Sequence, residues 1–430
     1  MVLQRQIKNS DIATTTLSFT CATTVGDNVY IGTDENGLYV SKLSGASGFE
    51  NMMPIGPSRN DIFAINVTPN VLWAVYGNYN GSYNPYPLDS YGVSKFNSTG
   101  WLNVPYEKVL QAKSMTRIIV NPNNESQVYA SSFFSGLLKI ENDIPSVLYN
   151  QSNSGLESLT FLGPGYIDVR INGTAFDKLG NLWVTNSLIK NGLKVLRTNG
   201  QWQTFPISTV LAKAEDTSFG SMTIDKNSTK WFGTNTDGVI GFNESTNTIK
   251  KITQGLDTGN LPIPDARVVA VDAKDQLWIG TTRGLRVLSN VNNFRTENQL
   301  KANPIIIMDD GLAQELLYEQ FITAIVVDGA NNKWIGTADS GVFLVSPNGQ
   351  ETKYHFTINN SPLPSNQIND IGINSATGEV YLATNKGMIS FKGIATQANE
   401  DLNNVYVYPN PVRPEFSGTV KIAGLLDKAN

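Results

Sequence analysis

Short apolar runs alternate with short polar turns along this chain, and they do so in a fixed order. The clearest example starts with the apolar run 321–328, which is followed by the polar turn 329–332. A strand containing Trp334 comes next, then a second turn at 337–340 and a further strand that opens at Gly341. Strands of four to eight residues that are rich in Val, Ile, Tyr and Trp and have turn residues at both ends predict antiparallel sheet.

This hairpin recurs eight times. Each copy carries an aromatic anchor in one strand and a glycine where the next strand begins. The anchors are Tyr30, Trp73, Tyr129, Trp183, Trp231, Trp278, Trp334 and Tyr381, and the glycines are Gly37, Gly92, Gly136, Gly192, Gly238, Gly284, Gly341 and Gly387. Repeats spaced by roughly 40 to 55 residues indicate solenoids, propellers or arrays. Units with room for about four strands fit the blades of a β-propeller.

The sequence therefore predicts an all-β fold, with residues 1–394 as a β-propeller of seven or eight four-stranded blades. Eight hairpins suggest eight blades, and seven blades result if the first hairpin belongs to a preceding ring of a longer protein. We expect the tryptophans to pack between neighbouring sheets as core residues rather than to form a ligand cage. We expect Gly233, Gly280 and Gly336 on the crowded strand nearest the axis, where a larger residue would clash.

The repeat ends after Gly393. Residues 395–404 predict a polar linker, and residues 405–430 contain two further strands, at 405–413 and 418–422. They read as the first strands of a truncated Ig-like β-sandwich, because a lone pair of strands is not stable by itself. The chain therefore looks cut at its C-terminus. Since Met1 to Ser10 lack the apolar core of a secretory signal, a cut at the N-terminus is expected as well.

Composition narrows the functional classes. Only 16% of the residues are charged and the formal net charge is −5, so no basic face for nucleic acid is expected. One cysteine, Cys21, cannot form an internal disulfide, and one histidine, His355, cannot build a multi-histidine metal site. No run approaches the roughly 20 apolar residues of a membrane-spanning helix.

Candidate catalytic chemistry is sparse. Asp309 and Asp310 form the most conspicuous carboxylate pair, but adjacent residues of a strand point to opposite faces. We interpret them as a turn that caps a short amphipathic helix over Gly311 to Tyr318. His355 has no evident partner in the sequence, and no glycine-rich phosphate loop or dense calcium loop is present. We therefore expect no enzymatic activity, no cofactor and no metal.

The most distinctive polar segment is the insertion 76–91 of the second unit. Tyrosine offers a flat apolar face with a hydroxyl at its tip, and the neighbouring asparagines offer donors and acceptors. Such a loop suits packing over a neighbouring blade, contact with a protein, or contact with a glycan, and the sequence leaves all three open. The candidate ligand-binding residues are Tyr76, Tyr79, Tyr83, Tyr86 and Tyr91. A second insertion, 150–170 with Tyr166, has the same character.

The chain resembles a known family over nearly its whole length. The Trp-Ile-Gly-Thr strand at 334–337, with its Gly341, is similar to the two-component-regulator propeller repeat of Bacteroidetes. The segment 406–425, with Tyr-Pro-Asn-Pro at 408–411, resembles the start of a C-terminal sorting domain of the type IX (Por) secretion system. A propeller joined to this strand pattern, together with the motifs at 324–337 and 360–366, resembles the PorZ family of that system.

The resemblance implies a non-catalytic protein of the cell surface, at the outer membrane. Its partners would be the sortase and other attachment-complex proteins, and it would bind anionic lipopolysaccharide and present it to the sortase. An alternative is the ligand-sensing propeller of a hybrid two-component system that recognises oligosaccharides. A propeller lyase or glycosidase is a third hypothesis, which would require acid and base residues that converge at the mouth of the ring.

Overall fold

The computed structural model describes residues 6–12, 17–34, 36–45, 48–52, 55–163, 165–309, 311–393, 395–396, 405–412, 415–423 and 425. The chain divides into two compact units, residues 1–56 and residues 57–430. The first unit contains the short helix α1 and one four-stranded antiparallel sheet in the order β1-β2-β3-β4. Its elements are α1 (Asn9–Ile12), β1 (Phe19–Val25), β2 (Asn28–Thr33), β3 (Leu38–Lys42) and β4 (Glu50–Met52).

The second unit contains seven consecutive antiparallel blades of a propeller, and a short pairing between Phe133 and Arg170 joins blades 2 and 3 into one sheet. Blades 1 to 4 have four strands each. Blade 1 has β5 (Ala64–Val67), β6 (Leu72–Val75), β7 (Val93–Asn97) and β8 (Gly100–Val104); blade 2 has β9 (Met115–Asn121), β10 (Asn124–Phe134), β11 (Gly136–Glu141) and β12 (Ile144–Tyr149); blade 3 has β13 (Val169–Phe176), β14 (Leu182–Ser187), β15 (Leu193–Leu196) and β16 (Trp202–Phe205); blade 4 has β17 (Phe219–Ile224), β18 (Thr229–Thr234), β19 (Val239–Asn243) and β20 (Thr248–Ile252).

Blades 5 and 7 differ from the others because each has three strands. Blade 5 has β21 (Ala266–Val271), β22 (Leu277–Thr281) and β23 (Gly284–Leu288), followed by α2 (Asn293–Thr296) and the hairpin β24 (Ile306–Asp309) and β25 (Leu312–Glu315); blade 6 has β26 (Ile322–Val327), β27 (Lys333–Thr337), β28 (Val342–Val345) and β29 (Thr352–Phe356); blade 7 has β30 (Ile368–Ile373), β31 (Glu379–Thr384) and β32 (Gly387–Lys392). Short 3-10 turns lie at Tyr106–Lys108, Ile207–Thr209 and Ala214–Asp216.

The seven blades close into a ring. The first strands of successive blades lie side by side, and β30 of blade 7 lies against β5 of blade 1. At this junction the Ile65 backbone N–H donates to the Asp370 carboxylate (3.0 Å), and the Asn369 side chain donates to the Ile62 carbonyl (2.8 Å). The predicted all-β propeller is therefore confirmed, with seven blades in the closed ring. The predicted domain boundaries remain predictions.

The tryptophan anchors are core residues, as the sequence predicts. Trp183, Trp231 and Trp278 are almost completely buried, and each packs within a cluster that joins two blades. The prediction that the neighbouring glycines lie on the strand nearest the axis is wrong, because the Trp strand is the second of each blade. The expectation that a larger residue would clash at these glycines is nevertheless correct, because a Cβ at Gly280 would lie 2.6 Å from Ile322 of the next blade.

A buried hydrogen bond joins turn and core in three consecutive blades. The aspartate that starts the first turn accepts the indole N–H of the tryptophan six residues later. The pairs are Asp177 with Trp183 (2.9 Å), Asp225 with Trp231 (3.0 Å) and Asp272 with Trp278 (3.2 Å). The other oxygen of each carboxylate accepts two backbone N–H groups of the turn. Each aspartate thus holds its hairpin and its tryptophan in one geometry.

The helix predicted over Gly311 to Tyr318 is wrong. Residues Leu312–Glu315 form strand β25, which pairs with Ile306–Asp309. The β-branched residues before Asp309 favour a strand, and Gly311 adopts a φ of +78°, which suits a tight turn and ends any helix there. Asp310 lies outside the described residues.

The C-terminal segment forms a two-stranded antiparallel sheet of β33 (Tyr406–Tyr408) and β34 (Lys421–Ala423). The two strands predicted after the linker are therefore present, and their assignment to a sorting domain remains a prediction. Most of the linker, 397–404, lies outside the described residues. In the described part of the chain, no helix is long and apolar enough to cross a bilayer.

We predict that Asp177→Asn lowers the free energy of unfolding by about 1 to 3 kcal/mol near pH 7, because an amide nitrogen replaces one acceptor among buried donors. Burial alone would raise the pKa of the Asp177 carboxyl, but hydrogen bonds from Asn181, Trp183 and the turn backbone hold that pKa below its usual value. A lowered pKa in the folded state gives stability above the unfolded-state pKa of about 3.9, and this stability is lost as the pH falls.

Urea denaturation at several pH values measures this effect. The difference between the wild-type protein and Asp177→Asn should be largest near neutral pH and shrink in acid. Asp257→Asn, at an exposed loop position, is the control and should change little. A difference that stays constant down to acidic pH would contradict the prediction.

Candidate functional site

A cavity of about 270 Å³ lies at the axis of the ring. Side chains from several blades line it, because the first strand of every blade runs next to the axis. They include Phe63 of blade 1, Arg117 of blade 2, Arg267 of blade 5, Phe321 and Thr323 of blade 6, and Asn369 of blade 7. We call this space the axial cavity.

The insertion 76–91 crosses the ring beside this cavity. Its Tyr79 ring lies within 5.1 Å of Phe63, 4.9 Å of Phe133 and 5.0 Å of Tyr83, measured between ring centroids. The side-chain amide of Asn172, on blade 3, donates to the Tyr79 hydroxyl (3.0 Å). A loop that leaves blade 1 is therefore packed against blades 2 and 3.

Two arginines hold the backbone of the insertion. Arg170 of blade 3 donates to the Tyr83 carbonyl (3.3 Å), and Arg267 of blade 5 donates to the Gly81 carbonyl (2.5 Å). Each arginine is fixed by the aspartate two residues before it, Asp168 or Asp265, through a side-chain ion pair. The repeated Asp-x-Arg pattern thus clamps the loop from two blades.

Both arginines contact Tyr83. Its side chain is buried, and the Arg267 guanidinium carbon lies 4.1 Å from the centroid of its ring. Burial raises the pKa of the Tyr83 phenol, so the ring stays neutral next to the arginine. The arrangement combines a cation–π contact with hydrophobic burial.

A further ion pair lies between blades 2 and 7. Arg117 approaches the Asp370 carboxylate (3.5 Å), and the Arg117 Nε is buried without a hydrogen-bond partner in the described chain. Burial raises the pKa of the Asp370 carboxyl, although Arg117 and two backbone N–H groups oppose the rise. A buried N–H at the edge of a cavity can donate to a bound polar ligand.

The five predicted tyrosines do not form one surface. Tyr79 and Tyr83 stack on each other at the axis, with Tyr79 half-buried. Tyr76 is buried and bonds to Ser94 (2.5 Å), and the half-buried Tyr91 lies under the Arg59 guanidinium. Tyr86 is the most exposed, with 43% of its surface accessible. Their role in ligand binding remains a prediction, and most of their surface serves packing.

The two insertions singled out in the sequence meet over Phe134. The ring of Tyr86 lies 6.3 Å from that of Phe134, and the ring of Tyr166 lies 6.5 Å from it, both edge-on. Phe161 and Ile167 of the second insertion are exposed, at 62% and 55%. Tyr86, Phe134 and Tyr166 thus form one aromatic patch between the two insertions.

Sequence reasoning missed the polar residues of the axial cavity. Arg117, Arg267 and Asn369 come from strands of different blades, and only ring closure brings them together. One signal was present: the pattern Asp-x-Arg occurs at 168–170 and again at 265–267, each time at the start of a first strand.

The axial cavity suits a polar ligand with a flat apolar face. Aromatic walls from Phe63, Tyr79 and Phe321 can stack on a ring. Arginine and amide groups offer several donors, and since Arg117 and Arg267 are both paired with aspartates, the site carries little net charge. Among the described residues, no group of three or more His, Cys, Asp or Glu side chains is placed to hold a metal ion. His355 bonds to the Ser340 carbonyl (2.8 Å) and stacks on Phe343, a packing role.

The fold and the axial cavity define a β-propeller protein with a ligand-sized space at its centre. Among solved structures, the chain is similar to PorZ, described as an essential bacterial surface component of the type IX secretion system of Porphyromonas gingivalis. The identity is 25% and the TM-score 0.73 over 93% of this chain. The chain spans 56% of the length of that PorZ structure.

Other similarities concern the fold alone. A streptogramin B lyase structure matches with 10% identity and a TM-score of 0.54, covering 77% of this chain and 93% of the lyase. The match with an extracellular domain of a hybrid two-component system from Bacteroides thetaiotaomicron covers 90% of this chain and 52% of the domain, at 18% identity. Its TM-score of 0.37 is too low to support an argument. No protein-family model matches the chain, and no curated protein matches it by sequence.

We predict that Tyr83→Ala lowers the free energy of unfolding by about 3 to 5 kcal/mol, because it empties a buried aromatic site. Tyr86→Ala should change it by about 1 kcal/mol or less, since 43% of the Tyr86 surface is accessible to solvent. Chemical denaturation of both variants measures the difference. Equal effects would show that the insertion is not clamped at Tyr83.

Proposed function

We propose that this chain is a non-catalytic binding and scaffold propeller that acts at the cell surface in a type IX secretion system. The observation that carries the proposal is the similarity to PorZ over 93% of the chain. Because the chain spans only 56% of that structure, the activity of a complete PorZ is carried over as a proposal.

We propose that the ligand is an anionic lipopolysaccharide, which the propeller presents to the sortase of the system. The axial cavity supports a saccharide ligand, because aromatic walls and amide donors match the apolar faces and hydroxyl edges of sugar rings. The aromatic patch of Tyr86, Phe134 and Tyr166 offers a second contact region for a longer glycan chain. The ligand-sensing alternative remains a prediction from the sequence, with no structural similarity strong enough to favour it.

We expect the purified chain to bind lipopolysaccharide that carries the anionic polysaccharide and not lipopolysaccharide that lacks it. Surface-immobilised fractions of both kinds, titrated with the chain, measure the two affinities. The double variant Asn78→Ala with Gln367→Ala removes two amides of the axial cavity and should weaken binding about tenfold, which corresponds to about 1.4 kcal/mol.

Gln299→Ala, an exposed amide of the 289–305 connection, is the matched control and should leave the affinity unchanged. Equal binding to both fractions would contradict the ligand assignment. If the double variant binds the anionic fraction as tightly as the wild-type chain does, the binding site is not the axial cavity.

The partner assignment is tested separately. Gel filtration of the chain mixed with purified sortase should show a complex at micromolar concentration, and the complex should persist when the lipopolysaccharide is present. Separate elution under both conditions would contradict a scaffold role toward the sortase.

A further inference from the structure

Among the residues that the structure describes, none pairs with the outer edge of blade 7. Blades 1 to 4 and blade 6 each have a fourth strand, and blade 5 has a bridge between Val287 and Asn303 on its third strand. In blade 7 the third strand, β32, has no further strand partner among the described residues. An unpaired strand edge presents backbone donors and acceptors that another strand can use.

An apolar groove of about 280 Å³ runs along this edge on the side of blade 6. Its floor is made of Phe356 of blade 6 and of Leu382, Ile389 and Phe391 of blade 7, with Leu363 of the connection between the blades. The groove continues the packed interface of the two blades, since Phe391 also contacts Trp334 and Phe356 there.

The other blades show what fills this position. In blades 1, 3 and 4 the fourth strand gives one apolar residue to the preceding blade and another, three positions later, to the following blade. The pairs are Trp101 and Val104 in blade 1, Trp202 and Phe205 in blade 3, and Ile249 and Ile252 in blade 4. A spacing of three places the two side chains on opposite faces of a strand.

Blade 4 gives the closest internal template. Ile249 of its fourth strand packs against the cluster that contains Ile207 and Leu211 of the preceding connection and Phe242 of the third strand. Leu363 and Phe391 occupy the corresponding places at blade 7, where the groove lies in the position of Ile249.

The register of blade 7 shows which backbone groups face outward. Thr384 and Gly387 close a two-residue hairpin, so Leu382 with Ile389 and Val380 with Phe391 are hydrogen-bonded pairs. The backbone groups of Met388, Ser390 and Lys392 consequently point to the open edge.

We propose that the edge of blade 7 is a docking site for an extended strand of a partner polypeptide, which completes the blade by antiparallel pairing with β32. The strand carries a Trp, Leu or Ile that fills the groove beside Phe391 and, three residues later, an apolar residue that faces blade 1. Main-chain pairing supplies affinity and the groove supplies specificity.

The described residues that adjoin blade 7 in the sequence and at the ring closure lie elsewhere. After β32 the chain continues past Gly393 to Ala395, which lies against the Gly378 turn between β30 and β31. The segment that precedes β5 passes blade 1, where the Ser58 backbone N–H donates to the Ser94 hydroxyl (3.1 Å). A strand supplied by another polypeptide therefore fits the open edge. The axial cavity is a separate site, so this inference goes beyond the proposed function.

A fluorescent synthetic copy of residues 200–206, which contain the fourth strand of blade 3, serves as the probe. We expect saturable binding to the intact chain by fluorescence anisotropy, and none for a copy with Ser in place of Trp202 and Phe205. Ser390→Pro removes an outward N–H at an exposed position and should weaken binding about tenfold. Ser390→Ala keeps the N–H and should bind as the wild-type chain does.

Two measurements keep the test decisive if Ser390→Pro perturbs folding. Ile389→Asp places a charge in the groove and should abolish binding, and its melting curve checks that the ring is folded. Hydrogen exchange at Met388, Ser390 and Lys392 should slow when the peptide is bound. Absence of saturable binding, binding that both variants leave unchanged, or protection at another blade would each overturn the proposal.

Discussion

Closure of the ring between blade 7 and blade 1 is the constraint on which the rest of the second unit depends. The first strand of each blade has neighbours on both sides only because β30 reaches β5, some 300 residues away in sequence. This contact places Arg117 beside Asp370 and brings Asn369 to the axis. Without it the axial cavity would have no wall on the side of blade 7.

Local rules predict the blades well. The anchors Trp183, Trp231 and Trp278 mark real second strands, and the turns before them begin with buried aspartates whose hydrogen bonds follow the same pattern in three blades. The alternation of apolar and polar residues along a strand and the turn residues that follow it lie within about ten residues of each other. A single sequence is therefore sufficient to recognise them. The repeat alone allowed either seven or eight blades. The number of blades in the ring is fixed by the long-range contact between the last blade and the first.

The candidate site was predicted less well, for a physical reason. Tyrosine composition points to the insertion 76–91 but does not tell a packed ring from an exposed one, and Tyr83 proves to be an anchor of the loop. Arg117 attracts no attention in the sequence, because its partner Asp370 is set by the ring. Arg267 has its aspartate nearby at Asp265, but its contact with the Gly81 carbonyl also depends on the ring. The error at 311–318 has a local cause: Leu312, Leu316 and Leu317 have helical spacing, but the turn at Gly311 pairs Leu312–Glu315 with the strand before it.

The seam between blades 7 and 1 has a mechanical consequence. The chain enters the ring just before β5 and leaves it just after β32, so both ends of the ring sit at one junction. Tension applied through the flanking segments would load this junction directly, while the other six interfaces carry no such load. Blade 1 is also the place where Trp73 lacks an acceptor for its indole N–H among the described residues, because Thr68 starts a turn one residue shorter than those of blades 3 to 5. The force that the propeller withstands therefore depends on this one junction, where the polar bonds of Asp370 and Asn369 lie beside the apolar cluster that contains Ile65 and Ala383.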